Sequence, residues 1–335
     1  SLPLMLKRRV AFPSMGSLLG GGGLRRDADP DFVPFVDLDD SDASVRVACA
    51  LRSSGFLIVG SRALSEGQQL EALGACQKVL AAPGTAVESH PSDPKRYLML
   101  RLSDLAAGSA AGIALEGEYR VLRSYWSSLR VIKGQLLRAL ASGLGLEAEF
   151  FVDRHAADND SLRLLHYPAS ECPASVGNRC KEHSDYGTIT LLTTDDVGGL
   201  EVFDDSQRLW RPVPHDGRGR LVVNAGSLLS TWTRGEVRAT LHRVAGPSSV
   251  ESGSERKVLL SAAAADRYSM ALFVDPDPGV KLRDVADGIA ANNVEGLTSV
   301  ADYVAWRCGQ DGEGLSFGPG EQSRAAPLRA GCGGA

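Results

Sequence analysis

Two textures are segregated along this chain, and that segregation limits its fold more than any other feature. From about residue 160, short runs suited to strands recur: Leu162–Tyr167, Thr188–Thr194, Gly199–Phe203, Arg220–Asn224, Val237–Val244 and Arg267–Val274. Turn chemistry separates them, as in Asp195-Asp196-Val197-Gly198-Gly199, His215-Asp216-Gly217 and Thr233-Arg234-Gly235-Glu236. Short strands at this spacing predict a sandwich or barrel. Helical periodicity lies ahead of them. Val45, Ala48, Cys49 and Leu51 predict a short helix stopped at Ser53-Ser54-Gly55, and Phe56–Val59 reads as a strand. Ser65 can cap a helix carrying Leu70, Leu73, Val79 and Leu80. A longer helix follows through Leu122, Tyr125, Leu129, Ile132, Leu136 and Leu140, closed by Gly143 and Gly145. Val300–Arg307 predicts a last packing helix. Helices and strands do not alternate and no GxGxxG occurs, which disfavours a doubly wound nucleotide-binding fold.

Composition sets the class. The 335 residues are 43% hydrophobic, with 36 basic and 41 acidic side chains, a net charge of −5. That is too apolar and too weakly charged for a disordered chain. No basic block interrupts the body, which argues against nucleic acid, and no 18-residue apolar run predicts a membrane span. Six cysteines without a CxxC pair point to a reducing compartment. Residues 1–26 hold five basic and no acidic side chains, the composition of a transit-peptide remnant or a flexible extension, so a cytoplasmic or organellar site is expected. The expected organisation is a basic extension over 1–30, a body over 31–308 and a Gly-rich tail over 309–335, with eight glycines in its 27 residues. The body divides into a helical portion, 31–155, and a β-rich core with its C-terminal helix, 156–308. A monomer is expected.

Histidine is scarce, with six in the chain, so His183-Ser184-Asp185 draws notice. On extended backbone, residues i and i+2 point to one side and can grip one ion. Six histidines among 41 carboxylates give about 0.7 chance His-x-Asp/Glu matches, so the motif alone is weak. His242, in another expected strand, completes a set of two imidazoles and one carboxylate, which leaves coordination positions open for non-haem Fe(II) and oxygen chemistry. Arg267 and Ser269 alternate onto one face, where a guanidinium beside a hydroxyl suits a carboxylate. Tyr167 can add a phenol to the same anion.

These residues fall in an ordered series. It runs through Val33-Pro34-Phe35-Val36-Asp37-Leu38, Ser54-Gly55-Phe56-Leu57, Leu162–Pro168, His183–Leu192, Asp196–Val202, Val222–Gly226, His242-Arg243-Val244 and Arg267–Phe273. Over roughly residues 32–307 the chain resembles the Fe(II)- and 2-oxoglutarate-dependent oxygenases of the isopenicillin N synthase-like family. The resemblance implies a mainly β fold, a double-stranded β-helix (jelly-roll) core with a helical N-terminal portion. It implies that His183, Asp185 and His242 ligate Fe(II), and that Arg267 and Ser269, assisted by Tyr167, bind the distal carboxylate of 2-oxoglutarate. O2 is then the second cosubstrate, and a small-molecule metabolite is hydroxylated, desaturated or cyclised with release of succinate and CO2. Two departures stand out: Leu165 occupies a place where many plant members carry asparagine, and the stretch between Gly246 and Asp266 reads as an inserted surface loop. A ring-closing iron oxidase that needs no 2-oxoglutarate, and a catalytically silent jelly-roll binding module, remain as alternatives.

Other residues invite plainer readings. Trp210 and Trp232 are expected to pack against the barrel, and His90, His155 and His215 to be solvated. His166 should face away from Tyr167. Lys95, Arg96 and Arg101 read as a solvated basic face, or as a clamp for a substrate anion at the barrel mouth. Cys172 and Cys180 are discounted as ligands for such iron.

Overall fold

The computed structural model describes residues 32–106, 115–157, 159–171, 177–214, 218–246, 265–281, 299–300 and 302–303. The basic extension, the Gly-rich tail, nearly all of the loop between Gly246 and Asp266, Cys172, His215 and most of the expected helix over Val300–Arg307 lie outside them. Val300 and Tyr303 are described and are buried against the main core.

The N-terminal portion pairs β1 (Phe35–Asp37) in parallel with β2 (Phe56–Gly60), joined through α1 (Ala43–Ser53). The helix α2 (Glu66–Ala81) starts at a capping box. Ser65 Oγ accepts from the Gln68 amide at 3.3 Å, and Gln68 Oε1 accepts from the Ser65 amide at 3.0 Å. Then come β3 (Glu88–Ser89), β4 (Arg96–Leu100), α3 (Leu102–Ala106) and the long α4 (Glu116–Gly143). Gly143 ends α4 where that helix crosses α1, and a Cβ there would stand 2.2 Å from the Ser44 carbonyl oxygen. The remaining elements are β5 (Ser161–Tyr167), β6 (Asn178–His183), β7 (Ile189–Thr194), β8 (Leu200–Asp204), β9 (Leu209–Pro212), β10 (Leu221–Ala225), α5 (Ser227–Trp232), β11 (His242–Ala245) and β12 (Arg267–Val274). Among the described residues, no helix is long and apolar enough to cross a membrane.

The strands form two sheets, ordered β1-β2-β10-β7-β12-β5-β4-β3 and β6-β11-β8-β9. Both faces of the larger sheet are covered, by different chemistry. Leu162, Leu164, Leu191, Val223, Met270 and Leu272 turn outward into one core with Ala72, Cys76, Trp126 and Leu129 of α2 and α4. Their neighbours Arg163, Leu165, Tyr167, Leu192, Asn224, Arg267, Ser269 and Ala271 turn inward to a cavity. The period of two is thus retained in a sheet with no solvent face. Polar pins fix the helices to it: the buried Gln69 side chain donates to the Arg220 carbonyl at 2.7 Å and accepts from the Gly219 amide at 2.9 Å.

Two expectations need correction. The run Val237–Val244 becomes a strand only at His242. Before that its backbone is spent elsewhere, with the Arg238 amide donating to the Leu51 carbonyl at 3.0 Å and the Val237 amide to Thr233 Oγ1 at 3.0 Å. In addition, β6 is a strand although its side chains are mostly polar, because its backbone is paired by β11. Pairing outweighs composition there.

One ion pair inside the fold carries a stability prediction. Lys133 Nζ of α4 lies 2.6 Å from Asp160 Oδ2 ahead of β5, and the aspartate is fully buried. Lys133→Met removes the cation that faces a buried carboxylate and should cost about 3–5 kcal/mol in a denaturant melt. Removing both charges, with Lys133→Met and Asp160→Leu together, should recover much of that loss. Equal losses for the single and double variants would show that the pair does not act as a unit.

Candidate functional site

The smaller sheet places two histidines side by side. His242 on β11 is paired directly with His183 at the end of β6. The next register pair is Val244 with Cys180, two residues against three, so β6 carries a bulge. That extra residue lets Cys180 and His183, three apart, both line the cavity. The imidazole centroids are 4.3 Å apart, and the edge of Phe56 packs on His242 at 5.4 Å.

Each imidazole is oriented from behind. His183 Nδ1 is 2.8 Å from the Lys181 carbonyl oxygen, and His242 Nδ1 is 3.3 Å from that of Thr240. A carbonyl accepts only, so both Nδ1 atoms donate to it and each Nε2 is turned toward Asp185. Burial would lower the pKa of His183, but Cys180 and Asp185 outweigh it and raise it to about 9. The two Nε2 atoms stand 3.9 and 3.8 Å from Asp185 Oδ1. Burial and the neighbouring His183 hold His242 down to a pKa of about 4, which keeps it neutral. Among the described residues, His183, Asp185 and His242 form the one group of three or more such side chains whose donor atoms lie within 4.8 Å of one another.

Asp185 follows β6 and is fixed by the larger sheet. Its Oδ2 accepts from Asn224 Nδ2 at 2.8 Å and from Thr190 Oγ1 at 2.5 Å. Burial alone would raise its pKa; the facing imidazoles of His242 and His183 and these two bonds hold it below the ordinary carboxylate value. Its backbone is held too, with the Ser227 amide donating to the Asp185 carbonyl at 2.8 Å. This closeness requires glycine, since a Cβ on Gly226 would meet the Gly187 carbonyl oxygen at 2.1 Å.

Across the cavity, which is partly open to solvent, Arg267 and Ser269 point inward from β12. Arg267 is 1% exposed. Its Nε donates to the Gly198 carbonyl at 2.8 Å and its Nη1 reaches Ser269 Oγ at 3.4 Å. Tyr167 is its direct cross-strand partner and lies with its ring 5.1 Å beneath the guanidinium. All six residues expected at the site line this one cavity.

Several residues are placed otherwise than expected. Lys95 leaves the basic face, being buried in the cavity wall with Nζ 2.9 Å from Asp93 Oδ2 and 3.0 Å from Cys180 Sγ. Arg96 pairs outside with Glu171, and Arg101 reaches Asn159. His155 is buried, not solvated: its ring bonds the Phe151 carbonyl at 2.6 Å and Thr188 Oγ1 at 2.9 Å, and burial holds its pKa to about 4. His90 is half-buried, its Nδ1 accepting from the Asp93 amide at 3.1 Å. His166 turns away from the cavity and stacks on Tyr268, and Trp232 packs in the core, as expected. The roles of Asn224, Thr190 and Arg163 do not emerge from the sequence reading. Arg163 was within reach, because four positions before Tyr167 on one strand is the same face.

A facial set of two imidazoles and a carboxylate inside a jelly roll, opposite a buried Arg-x-Ser, is the arrangement of non-haem iron oxygenases. Residues 159–276 match the family model of the 2OG-Fe(II) oxygenase superfamily, about a third of the chain. It is 38% identical over 169 residues to the 2-oxoglutarate-dependent dioxygenase gloF of Glarea lozoyensis, covering 50% of this chain and 49% of that protein. It is 33% identical over 199 residues to the proline hydroxylase buaE of Petromyces alliaceus, covering 58% and 59%. The chain thus spans about half the length of the curated relatives it matches first. Among solved structures, a full-length Neurospora crassa protein in complex with alpha-KG and 5-formyluracil superposes with a TM-score of 0.66 at 22% identity, covering 82% of this chain and 95% of that one. At that identity the likeness speaks for the jelly-roll fold.

The support behind Asp185 gives the second prediction. Removing a partner that orients a metal-binding carboxylate costs about 10- to 100-fold in affinity. Asn224→Ala should therefore weaken Mn(II) binding by that factor in a calorimetric titration, with the fold intact by circular dichroism. Unchanged affinity would mean that Asp185 holds its position without Asn224.

Proposed function

We propose that this protein is an Fe(II)- and 2-oxoglutarate-dependent dioxygenase that oxidises a small-molecule metabolite, with His183, Asp185 and His242 as the iron ligands. The observation that carries the reading is the convergence of two Nε2 atoms on one carboxylate oxygen, with each side chain oriented from behind by a hydrogen bond. This donor set suits Fe(II) and occupies one face of its coordination sphere. When bound, iron with 2-oxoglutarate and O2 supplies oxidative decarboxylation to succinate and CO2, coupled to oxidation of the substrate.

The chain's own residues bind, orient and exclude water. Arg267 receives the distal carboxylate of 2-oxoglutarate; its Nε is committed to Gly198, which fixes the plane of the fork and leaves Nη donors for the anion. Ser269 Oγ is placed to donate to the same carboxylate, and Tyr167 closes the far side with its ring. Leu165, where many plant members of the family carry asparagine, gives an apolar wall beside them. Leu192, Ala271 and Phe273 continue that wall and keep water from the reacting centre. The alternative of a silent binding module is disfavoured by the completeness of the donor set, and that of a ring-closing oxidase is separated by cosubstrate turnover.

Arg267→Lys keeps the charge and loses the fork, a loss of about 1.5–3 kcal/mol in cosubstrate binding. The KM for 2-oxoglutarate should rise about 10- to 150-fold, and Ser269→Ala should move it less in the same direction. Asp185→Ala should abolish substrate-dependent succinate release while the protein stays folded. Product formation that needs iron and O2 but consumes no 2-oxoglutarate would transfer Arg267 to the substrate and favour the ring-closing oxidase.

A further inference from the structure

We propose that Arg163 is the substrate-recognition residue of this cavity and that it selects substrates carrying a carboxylate attached to a compact apolar body. The inference rests on the reading of Arg267 as the cosubstrate anchor and extends it to the second ligand. Three cationic side chains line the cavity, Lys95, Arg163 and Arg267, against one carboxylate, Asp185. Two of the cations are provided for. Lys95 is ion-paired with Asp93 at 2.9 Å, and Arg267 is anchored by Gly198 and faces the place of the cosubstrate carboxylate.

Arg163 differs from both. Among the described residues it has no acidic partner and no hydrogen bond, and its Nε is buried without a partner atom. Its guanidinium lies between two aromatic rings, 5.0 Å from the centroid of Tyr97 and 5.0 Å from that of Phe273. Stacking holds the plane of the group while satisfying none of its five N–H donors. A flat fork fixed in plane, with its donors unspent, is matched by the two oxygens of a carboxylate.

Its position sets it apart from the cosubstrate anchor. On β5, Arg163 stands opposite Ala271, whereas Tyr167 stands opposite Arg267. Four residues along a strand separate the two Cα rows by about 13 Å, with Leu165 between them on the same face. The two side chains thus rise from different rows of the sheet. Arg163 is instead level with Leu192, which is paired with the same Ala271, next to the row in which Thr190 holds Asp185. An anion on Arg163 would therefore place the rest of its molecule beside the candidate metal ligands. The walls there are Leu192, Ala271 and Phe273, which suit a small apolar body.

The test measures ligand binding on protein loaded with Mn(II) and saturating 2-oxoglutarate, without O2, so that Arg267 is occupied. Two matched pairs serve as probes, L-proline with L-prolinamide and phenylacetate with phenylacetamide, followed by ligand-observed NMR. Wild type should bind at least one acid about 10- to 150-fold more tightly than its amide, the range of a charge-assisted hydrogen bond. Arg163→Gln should abolish that preference while 2-oxoglutarate and Mn(II) affinities stay unchanged, and Arg163→Lys should retain part of it. The proposal is overturned by wild type that prefers neither acid, by Arg163→Gln that keeps the preference, or by a variant that weakens 2-oxoglutarate instead. If Arg163→Gln is unstable, Arg163→Lys decides: a preference reduced from that of wild type supports the proposal, and one equal to it overturns the proposal. Wild type that binds the acids but no 2-oxoglutarate would sink the cosubstrate reading and leave Arg163 as the substrate anchor.

Discussion

The arrangement depends on a carboxylate that has to be buried and charged at once. Asp185 sits between two imidazoles in a cavity wall, where an unsupported carboxylate would take up a proton or turn away. Asn224 and Thr190 prevent both by filling Oδ2, so that Oδ1 alone faces His183 and His242. These supports come from β10 and β7 of the larger sheet, while the histidines belong to the smaller one. The site is therefore also the joint between the sheets. Gly226 lets its backbone approach that of Gly187 beside Asp185, at a spacing a Cβ would forbid.

Around that joint the larger sheet performs two tasks with alternate residues. Outward leucines, valines and Met270 pack against α2 and α4, which supplies the stability of the body. Inward positions are thereby free to carry arginine, serine, tyrosine and asparagine, whose burial would be costly without partners. The helical portion ahead of the core works as the covering that lets the sheet carry a polar interior face. The buried pair Lys133–Asp160 is part of the same attachment, linking α4 to the entry of β5.

The three cations of the cavity are held by different means, and this gives the interior its directionality. Lys95 is held by Asp93, a partner within the protein. Arg267 is held by the backbone carbonyl of Gly198. Arg163 rests between two rings, which order it and leave its donors unspent. Cations unmatched by protein carboxylates in a cavity this apolar favour anionic ligands.

Much of this was legible in the sequence alone. The His-x-Asp spacing, the distant histidine and Arg-x-Ser are local patterns, and alternation aims each pair to one side without knowledge of the fold. The helix starting at Ser65 and the long helix ending at Gly143 were readable for the same reason, since caps and periodicity act within one turn. What lay beyond reach depends on contacts distant in sequence. His155 reads as solvated because nothing near it announces that Thr188 will close over its ring. Lys95 reads as surface because Asp93 and Cys180 reveal their burial only once β6 is in place. The bulge that turns both Cys180 and His183 inward is set by the register of β6 against β11, and register is a property of the pair. Local chemistry named the donors; the pairing of two sheets decided which oxygen of Asp185 stays free, because hydrogen-bond partners 5 and 39 residues away had to arrive first.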